Sequence, residues 1–297
     1  MEKIFIPYQE RAEKVRWPNQ ARVVIPINFA LEFWGPDELM KNPPPGAVWA
    51  TPKKPKNDLS VSTSVEYSFR VGFERLFDMF KRHNMKFNLV VSGMAAERYP
   101  DIVKRASQEG HEIVAHSYDQ GIYMSDMTRA EQKAAIKKSI SILEKITGIR
   151  PVGWLSPGIH CNKDTVELVM DAGFLWHADL QDDELPYLVK HKGKVLVEVP
   201  YRLRGFSDHR LYYVDRVGPH MAFDYLKAGF DAHYALGERI PTLFALGGIH
   251  AIVSGRPEAC YVWERLIEYI KNGHHVWFAY RGEIARWWLE NIQPQGR

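Results

Sequence analysis

The chain alternates short apolar runs with stretches in which apolar residues recur at helical spacing. Runs rich in Val, Ile and Leu predict buried strands, and the amphipathic stretches between them predict helices. The predicted strands lie at residues 21–34, 86–93, 111–117, 152–158, 174–180, 195–201, 242–251 and 274–280. The predicted helices lie at residues 66–83, 95–109, 129–146, 164–172, 221–235, 259–271 and 282–292. This alternation predicts parallel strands joined by right-handed crossovers.

The number of strand–helix units suits one closed or nearly closed barrel. The sequence contains no internal repeat and no domain linker, so residues 1–297 are expected to form a single α/β domain. Residues 34–64 include the segment NPPPG and are predicted to form a long loop. This loop and the N-terminal segment are expected to pack near the functional site, because long loops in compact domains are often functional.

Charge and composition narrow the classes of partner. The 39 basic and 36 acidic residues nearly balance, so no footprint for nucleic acid is evident. No run approaches the roughly 20 apolar residues of a membrane span, and the N-terminus lacks the apolar core of a signal peptide. The 2 cysteines cannot build a disulfide framework and fit a reducing compartment. We therefore expect a cytoplasmic protein whose partner is a small-molecule substrate, with no nucleic acid or membrane partner.

Polar side chains follow the C-terminal ends of several predicted strands. These side chains are Glu32, His116, Gln120, Trp154, Ser156, Asp182, Asp183 and His250. Active sites of (β/α) barrels lie at this end, so these groups are expected to converge on one mouth. The glycines before His250 would allow close backbone approach there.

Several motifs, in their order and spacing, resemble the polysaccharide deacetylase superfamily (NodB-homology, carbohydrate esterase 4-like). They include RVVIPINFALEF, MAAERYPDIVKRASQEGHEIVAHSY, DDELPY and IHAIVSGRP, and the resemblance extends over nearly the whole chain. It is closest to the branch of metal-independent allantoinases and cyclic imide hydrolases. The resemblance implies a distorted (β/α)7–8 barrel of the NodB-homology type, hydrolysis of a carbon–nitrogen bond other than a peptide bond, and a homodimer or homotetramer.

The departures from the family pattern concern the metal site. Metal-dependent members carry an Asp-Asp pair at the end of the first strand, where this chain has Ala30 and Leu31. The second histidine of their His-x-x-x-His motif corresponds to Gln120, and an arginine after the fourth strand corresponds to Leu155. A catalytic zinc usually takes three protein ligands. Since only Glu32 and His116 would be good ones, no metal cofactor is favoured, and zinc or another divalent metal bound by these two remains the alternative.

A metal-free site needs a side chain to activate water. Glu32 is the predicted base, with a pKa raised toward the working pH by an aromatic surrounding, and His250 is the predicted acid. His116 or backbone N–H groups would stabilise the oxyanion. The resemblance also implies a catalytic positioning role for Asp183. The residues expected to bind substrate are Trp34, Glu66, Tyr67, Arg70, Gln120, Trp154, Ser156 and Asp182.

Three functions stay open at this point. The first is metal-independent ring opening of a small cyclic amide, either an imide, a ureide or a lactam. The second is metal-dependent deacetylation of an N-acyl substrate. The third is a non-catalytic member that binds a small ligand, which the residues Ala30, Leu31, Gln120 and Leu155 would also permit.

Overall fold

A computed structural model describes residues 1–39, 59–201 and 206–292. The segment NPPPG, within the predicted loop, lies outside these residues. In the described part of the chain, no helix has the length and apolar character needed to cross a membrane.

The strands and helices follow one another along nearly the whole chain. The strands are β1 (Glu2–Ile4), β2 (Val23–Ile25), β3 (Ile27–Leu31), β4 (Asn88–Val91), β5 (Glu112–Ala115), β6 (Gly153–Trp154), β7 (Trp176–His177), β8 (Tyr187–His191), β9 (Lys194–Glu198), β10 (Thr242–Leu243), β11 (Leu246–His250) and β12 (Val276–Phe278). The α-helices are α1 (Arg11–Lys14), α2 (Pro36–Leu39), α3 (Leu59–Tyr67), α4 (Phe73–Arg82), α5 (Gly93–Arg98), α6 (Pro100–Gln108), α7 (Arg129–Thr147), α8 (Lys163–Asp171), α9 (Pro219–Leu236), α10 (Ala251–Ser254), α11 (Pro257–Lys271) and α12 (Arg281–Asn291). Two π-helical segments, Ser68–Gly72 and Arg210–Val214, interrupt this series.

The main sheet has nine strands in the order β1-β8-β9-β7-β6-β5-β4-β3-β11. From β11 to β9 all neighbours pair in parallel, and β8 and β1 add an antiparallel edge. A second parallel sheet has the order β10-β2-β12. The expectation of an α/β fold with a distorted barrel is confirmed. The carboxyl ends of β3, β5 and β11 therefore lie on the same side of the sheet.

Prolines divide two of the predicted elements. The strand predicted at residues 21–34 splits at Pro26 into β2 and β3, which belong to different sheets, because proline has no N–H for the ladder. The Pro26 carbonyl still accepts a hydrogen bond from the Leu246 N–H, at 3.0 Å. The helix predicted at residues 95–109 breaks before Pro100 into α5 and α6. Two strands were not predicted: β8, which forms a hairpin with β9, and β1, which pairs with β8 at the edge of the sheet.

Candidate active site

Glu32, His116 and His250 lie together at the carboxyl ends of neighbouring parallel strands. The Glu32 Oε1 atom is 3.2 Å from Nε2 of His116 and 3.7 Å from Nε2 of His250. All three side chains are buried, with relative exposures of 7%, 2% and 8%. The predicted convergence of these three residues on one mouth is therefore observed.

The backbone around His116 fixes the orientation of its ring. Nδ1 of His116 donates to the Leu155 carbonyl at 2.7 Å, and Nε2 faces Glu32. Both ring nitrogens therefore face oxygen atoms, which holds the ring in one orientation. Ser117, directly after it, has a φ of 54°, a left-handed conformation that few side chains adopt. Its carbonyl accepts a 2.9 Å hydrogen bond from the Gly93 N–H, which holds the turn in place.

Asp208 orients His250, and sequence reasoning missed it. Its Oδ1 accepts a hydrogen bond from Nδ1 of His250 at 2.6 Å, and its Oδ2 accepts from the His250 N–H at 2.7 Å and from the Ser254 hydroxyl at 2.5 Å. The Nε2 atom of His250 is thereby directed toward Glu32. Gly248 permits this approach, because a Cβ atom there would lie 2.4 Å from Oγ of Ser207. The expected close approach at the glycines before His250 is confirmed.

A second histidine stacks on the first. The rings of His209 and His250 have centroids 3.8 Å apart and an angle of 8° between their planes. Burial, with the neighbouring charge of His250, lowers the pKa of His209 to about 4, so His209 is neutral near pH 7. The two rings lie in parallel planes, so their in-plane lone pairs do not converge on one metal ion.

Charges alternate across the site. Burial opposes ionisation of Glu32, but the charges of His250 and His116 and the hydrogen bond from His116 outweigh it and lower the pKa of Glu32 to about 2. Burial also opposes protonation of His250, but Asp208 and Glu32 raise its pKa to about 9. The predicted rise in the pKa of Glu32 was therefore wrong, because the aromatic surrounding matters less than the two imidazoles. The ionised carboxylates of Glu32 and Asp208 thus flank the protonated ring of His250 in the buried site.

The residues at this mouth do not fit a catalytic zinc. Glu32 and His116 offer two strong ligand atoms, and a zinc usually takes three. Gln120 stands at the place of the third, and its Oε1 atom is an amide oxygen, a weak zinc ligand. Within the described ranges, the sets of three His, Cys, Asp or Glu ligands in mutual reach include neither Glu32 nor His116, and the one set that adjoins Glu32 is Asp208, His209 and His250, whose two rings are stacked. The mechanism that these residues support at Glu32 therefore uses no metal ion.

Two acceptor atoms in this region have no hydrogen-bond partner among the described residues. They are Oε2 of Glu32 and Oε1 of Gln120, both buried. The backbone N–H of Gln120 donates to the Phe33 carbonyl at 3.1 Å, so the loop after β5 lies against the chain after β3. Buried acceptors are rarely left unpaired. These two atoms mark where donors of a bound molecule would be accepted.

Other predicted site residues have partners away from Glu32. Asp183 binds Arg11 through two 2.7 Å contacts, and Asp182 binds Lys3 at 2.5 Å. Both carboxylates therefore anchor the N-terminal segment. That segment is thus held at the DDELPY turn. These contacts do not support the expected catalytic role of Asp183 or the expected substrate contact of Asp182.

The remaining predicted substrate contacts are mostly internal. Trp154 is fully buried, and its Nε1 atom donates to Oγ of Ser156 at 3.0 Å, so both side chains belong to the core. Trp34 is also part of the hydrophobic core. The ring of Trp154 packs against Phe174. These contacts give no support for the expected substrate contacts of Trp154 and Ser156.

The residues predicted at the helix start have separate surroundings. Glu66 accepts a hydrogen bond from the Tyr99 hydroxyl, and Tyr67 donates to the Gly255 carbonyl at 3.0 Å. Arg70 is exposed on the following π-helical segment. These contacts connect α3 to its neighbours, and none of them joins Glu32.

Comparisons with known proteins identify the family of this chain. The family model for polysaccharide deacetylase matches residues 53–176. The crystal structure of a "probable polysaccharide deacetylase" from Pseudomonas aeruginosa PAO1 is 30% identical, with a TM-score of 0.84 over 98% of this chain and 96% of that one. The crystal structure of PuuE allantoinase is 29% identical, with a TM-score of 0.82 over 97% and 95% of the two chains. A peptidoglycan deacetylase of Helicobacter pylori is 25% identical over 74% of this chain and 84% of its own length. The chain therefore belongs to the polysaccharide deacetylase family, and it is a hydrolase of carbon–nitrogen bonds other than peptide bonds.

Proposed function

We propose that this protein opens the ring of a small cyclic amide, such as an imide, ureide or lactam, by metal-free hydrolysis. The observation that carries the proposal is the buried Glu32–His250–Asp208 relay with His116 facing it. It holds a base and an acid within 3.7 Å of each other, and among the described residues Glu32 and His116 belong to no set of three ligating side chains in mutual reach. The similarity to PuuE allantoinase over 97% of the chain supports the same class of reaction.

In the first step, water attacks the ring carbonyl. Glu32 is ionised at neutral pH and accepts a proton from the water. At the same time, the oxygen of the water bonds to the carbonyl carbon. The Nε2–H of His116 donates to the oxygen on which negative charge develops. Its other nitrogen is held by the Leu155 carbonyl, so the ring need not reorient during the reaction.

In the second step, the carbon–nitrogen bond breaks. Nε2 of His250 gives its proton to the leaving nitrogen, and the carbonyl carbon becomes a carboxyl group. The positive charge of His250 is the foremost cause of the low pKa of Glu32, so Glu32 becomes a stronger base as His250 loses its proton. Return of the proton from Glu32 to His250 restores the starting state.

The unpaired acceptors support a cyclic amide as substrate. An imide or ureide carries a ring N–H beside its carbonyl, and Oε1 of Gln120 is a buried acceptor without a described partner. A hydrogen bond from the ring N–H would satisfy this oxygen and orient the carbonyl toward Glu32. Burial of the three reactive side chains favours a compact substrate over a polysaccharide chain.

A panel of succinimide, hydantoin, dihydrouracil and allantoin, followed by absorbance with and without chelator, tests this proposal. We expect turnover of at least one compound that continues after metal is removed from the protein. Turnover that disappears on removal and returns with zinc, with zinc content reduced by Glu32→Gln, would contradict the metal-free mechanism and make Glu32 and His116 metal ligands. Binding of these compounds without turnover would contradict hydrolysis and indicate a ligand-binding member.

A further inference from the structure

A second group of ligating side chains lies at the ends of two other strands of the main sheet. It consists of Cys161, His177, Asp179 and Glu198, which we call the Cys161 cluster. His177 ends β7, Glu198 ends β9 and Asp179 follows β7, so the cluster lies at the carboxyl ends of adjacent strands. The side chains of His177, Asp179 and Glu198 are fully buried. It shares no residue with the Glu32 site.

The outer atoms of the cluster are held by fixed hydrogen bonds. Nδ1 of His177 and Oε2 of Glu198 lie 2.6 Å apart, and Oε1 of Glu198 accepts from the Leu180 N–H at 2.9 Å. Oδ1 of Asp179 accepts from the Ser156 N–H at 2.8 Å. A carboxylate on Nδ1 is the usual arrangement behind a metal-binding histidine, because it leaves the lone pair of Nε2 free for the metal.

The inner atoms face one another without forming hydrogen bonds. Nε2 of His177 and Oδ2 of Asp179 lie 2.8 Å apart, but they lack the alignment of a hydrogen bond, and neither has another described partner. Sγ of Cys161 lies within 4.8 Å of the ligating atoms of both residues. Three different ligand atoms therefore lie close enough together to hold one metal ion. Two of them, Nε2 of His177 and Oδ2 of Asp179, are buried and form no hydrogen bond.

The charges also favour a cation at that point. Asp179 and Glu198 place two carboxylates in a fully buried region, where unpaired charge is costly. One imidazolium at His177 compensates only one of them. A divalent ion that displaces one proton from His177 and one from Cys161 leaves the net charge unchanged and engages every inner atom.

We propose that Cys161, His177 and Asp179 bind a divalent ion of the zinc class, with Glu198 holding His177 from behind. Thiolate and imidazole donors with a carboxylate are ligands that zinc takes, whereas magnesium and calcium prefer oxygen. Cys161 is only partly buried, so it provides a route of entry. The site is also connected to the Glu32 site, because Ser156, held by Asp179, follows Leu155, whose carbonyl orients His116.

Metal analysis of the purified full-length chain tests the site directly. After exposure to zinc and dialysis, we expect about one zinc per chain that resists dialysis. Cobalt in its place should give the near-ultraviolet absorption of a thiolate–cobalt bond. Cys161→Ala should abolish this band and the bound zinc, and Cys260→Ala, which alters the other cysteine, should leave both unchanged.

A second variant covers the possibility that Cys161→Ala fails to fold. Glu198→Gln keeps the shape of the side chain but removes the charge behind His177, and it should weaken zinc binding by about 10–100-fold. Zinc content that is near zero in the parent, or equal in Cys161→Ala and Cys260→Ala, would overturn the proposal and leave a buried ion pair. Zinc lost from Glu32→Gln but kept by Cys161→Ala would also overturn it, because the metal would then lie at the Glu32 site.

Discussion

Asp208 sets the protonation state of His250 by accepting hydrogen bonds from both its ring and its backbone. Its charge is the first cause that raises the pKa of His250, against the opposing effect of burial. A general acid must hold its proton, so turnover should persist below the folded-state pKa of about 9 and fall as pH rises through it.

Replacing Asp208 with Asn should move this alkaline limit to lower pH. The amide keeps a similar shape but removes the charge, so His250 loses its proton more easily. We expect kcat/KM at neutral pH to fall by about 10²–10⁴-fold, the range for loss of general acid catalysis. The pH profile of kcat/KM is the measurement. Asp215→Asn is the control, since Asp215 pairs with Arg210 outside the site. An unchanged alkaline limit in Asp208→Asn would contradict this role.

Strand-end patterns identified Glu32, His116 and His250, because the carboxyl ends of parallel strands meet. They could not identify Asp208, which lies in a long connection and depends on the contact between Ser207 and Gly248. The acidic pair Asp182 and Asp183 follows a predicted strand and was therefore interpreted as part of the site. Its partners, however, come from the N-terminal segment, which is distant in sequence. The sign of the pKa shift at Glu32 required knowing that two imidazoles face it.

At the scale of elements, α12 connects strands that do not pair directly in the described part of the chain. Its first residue, Arg281, is fully buried. The guanidinium donates to the Val199 carbonyl, to the Pro200 carbonyl at 3.1 Å and to Oδ1 of Asn28 at 3.1 Å. One side chain therefore joins the end of β9 to β3. This contact holds the barrel together near the mouth.

Arg281→Lys should destabilise the fold. Lysine keeps the charge but lacks the planar fork, so at least one buried carbonyl loses its donor. The expected loss in free energy of unfolding is about 1–3 kcal/mol, measured by urea denaturation. Arg286→Lys on the exposed face of the same helix is the control and should change it by less than about 0.5 kcal/mol. Equal unfolding curves for the two variants would show that Arg281 does not have this structural role.

Apolar periodicity predicted most of the strands and helices. It predicted the first and last residue of each element less well. The long helices α7 and α11 match their predicted ranges closely, because their apolar faces repeat over several turns. The edge strand β1 has only three residues and is mostly exposed, so it lacks the apolar run that marks β3 or β4. Pro26 was read as part of a continuous strand, although its missing N–H breaks the ladder.

At the scale of the whole molecule, the barrel brings together residues far apart in sequence. Glu32 and His250 are separated by most of the chain, yet β3 and β11 are neighbours in one sheet. The order of motifs predicted this arrangement. The Cys161 cluster could not be predicted in the same way, because His177 and Glu198 alternate with apolar residues inside strands and are brought together only by the pairing of β7 with β9.

The most direct test of the central claim is the turnover number of Glu32→Gln on a ring-opening substrate in metal-depleted buffer. The account predicts a fall of about 10²–10⁴-fold with an unchanged far-ultraviolet spectrum, because glutamine keeps the shape but cannot accept the proton. Glu112→Gln is the matched control. It is a half-buried glutamate at the start of β5, whose pKa desolvation raises to about 7, and it should keep full turnover. Unchanged turnover in Glu32→Gln would contradict the proposed mechanism.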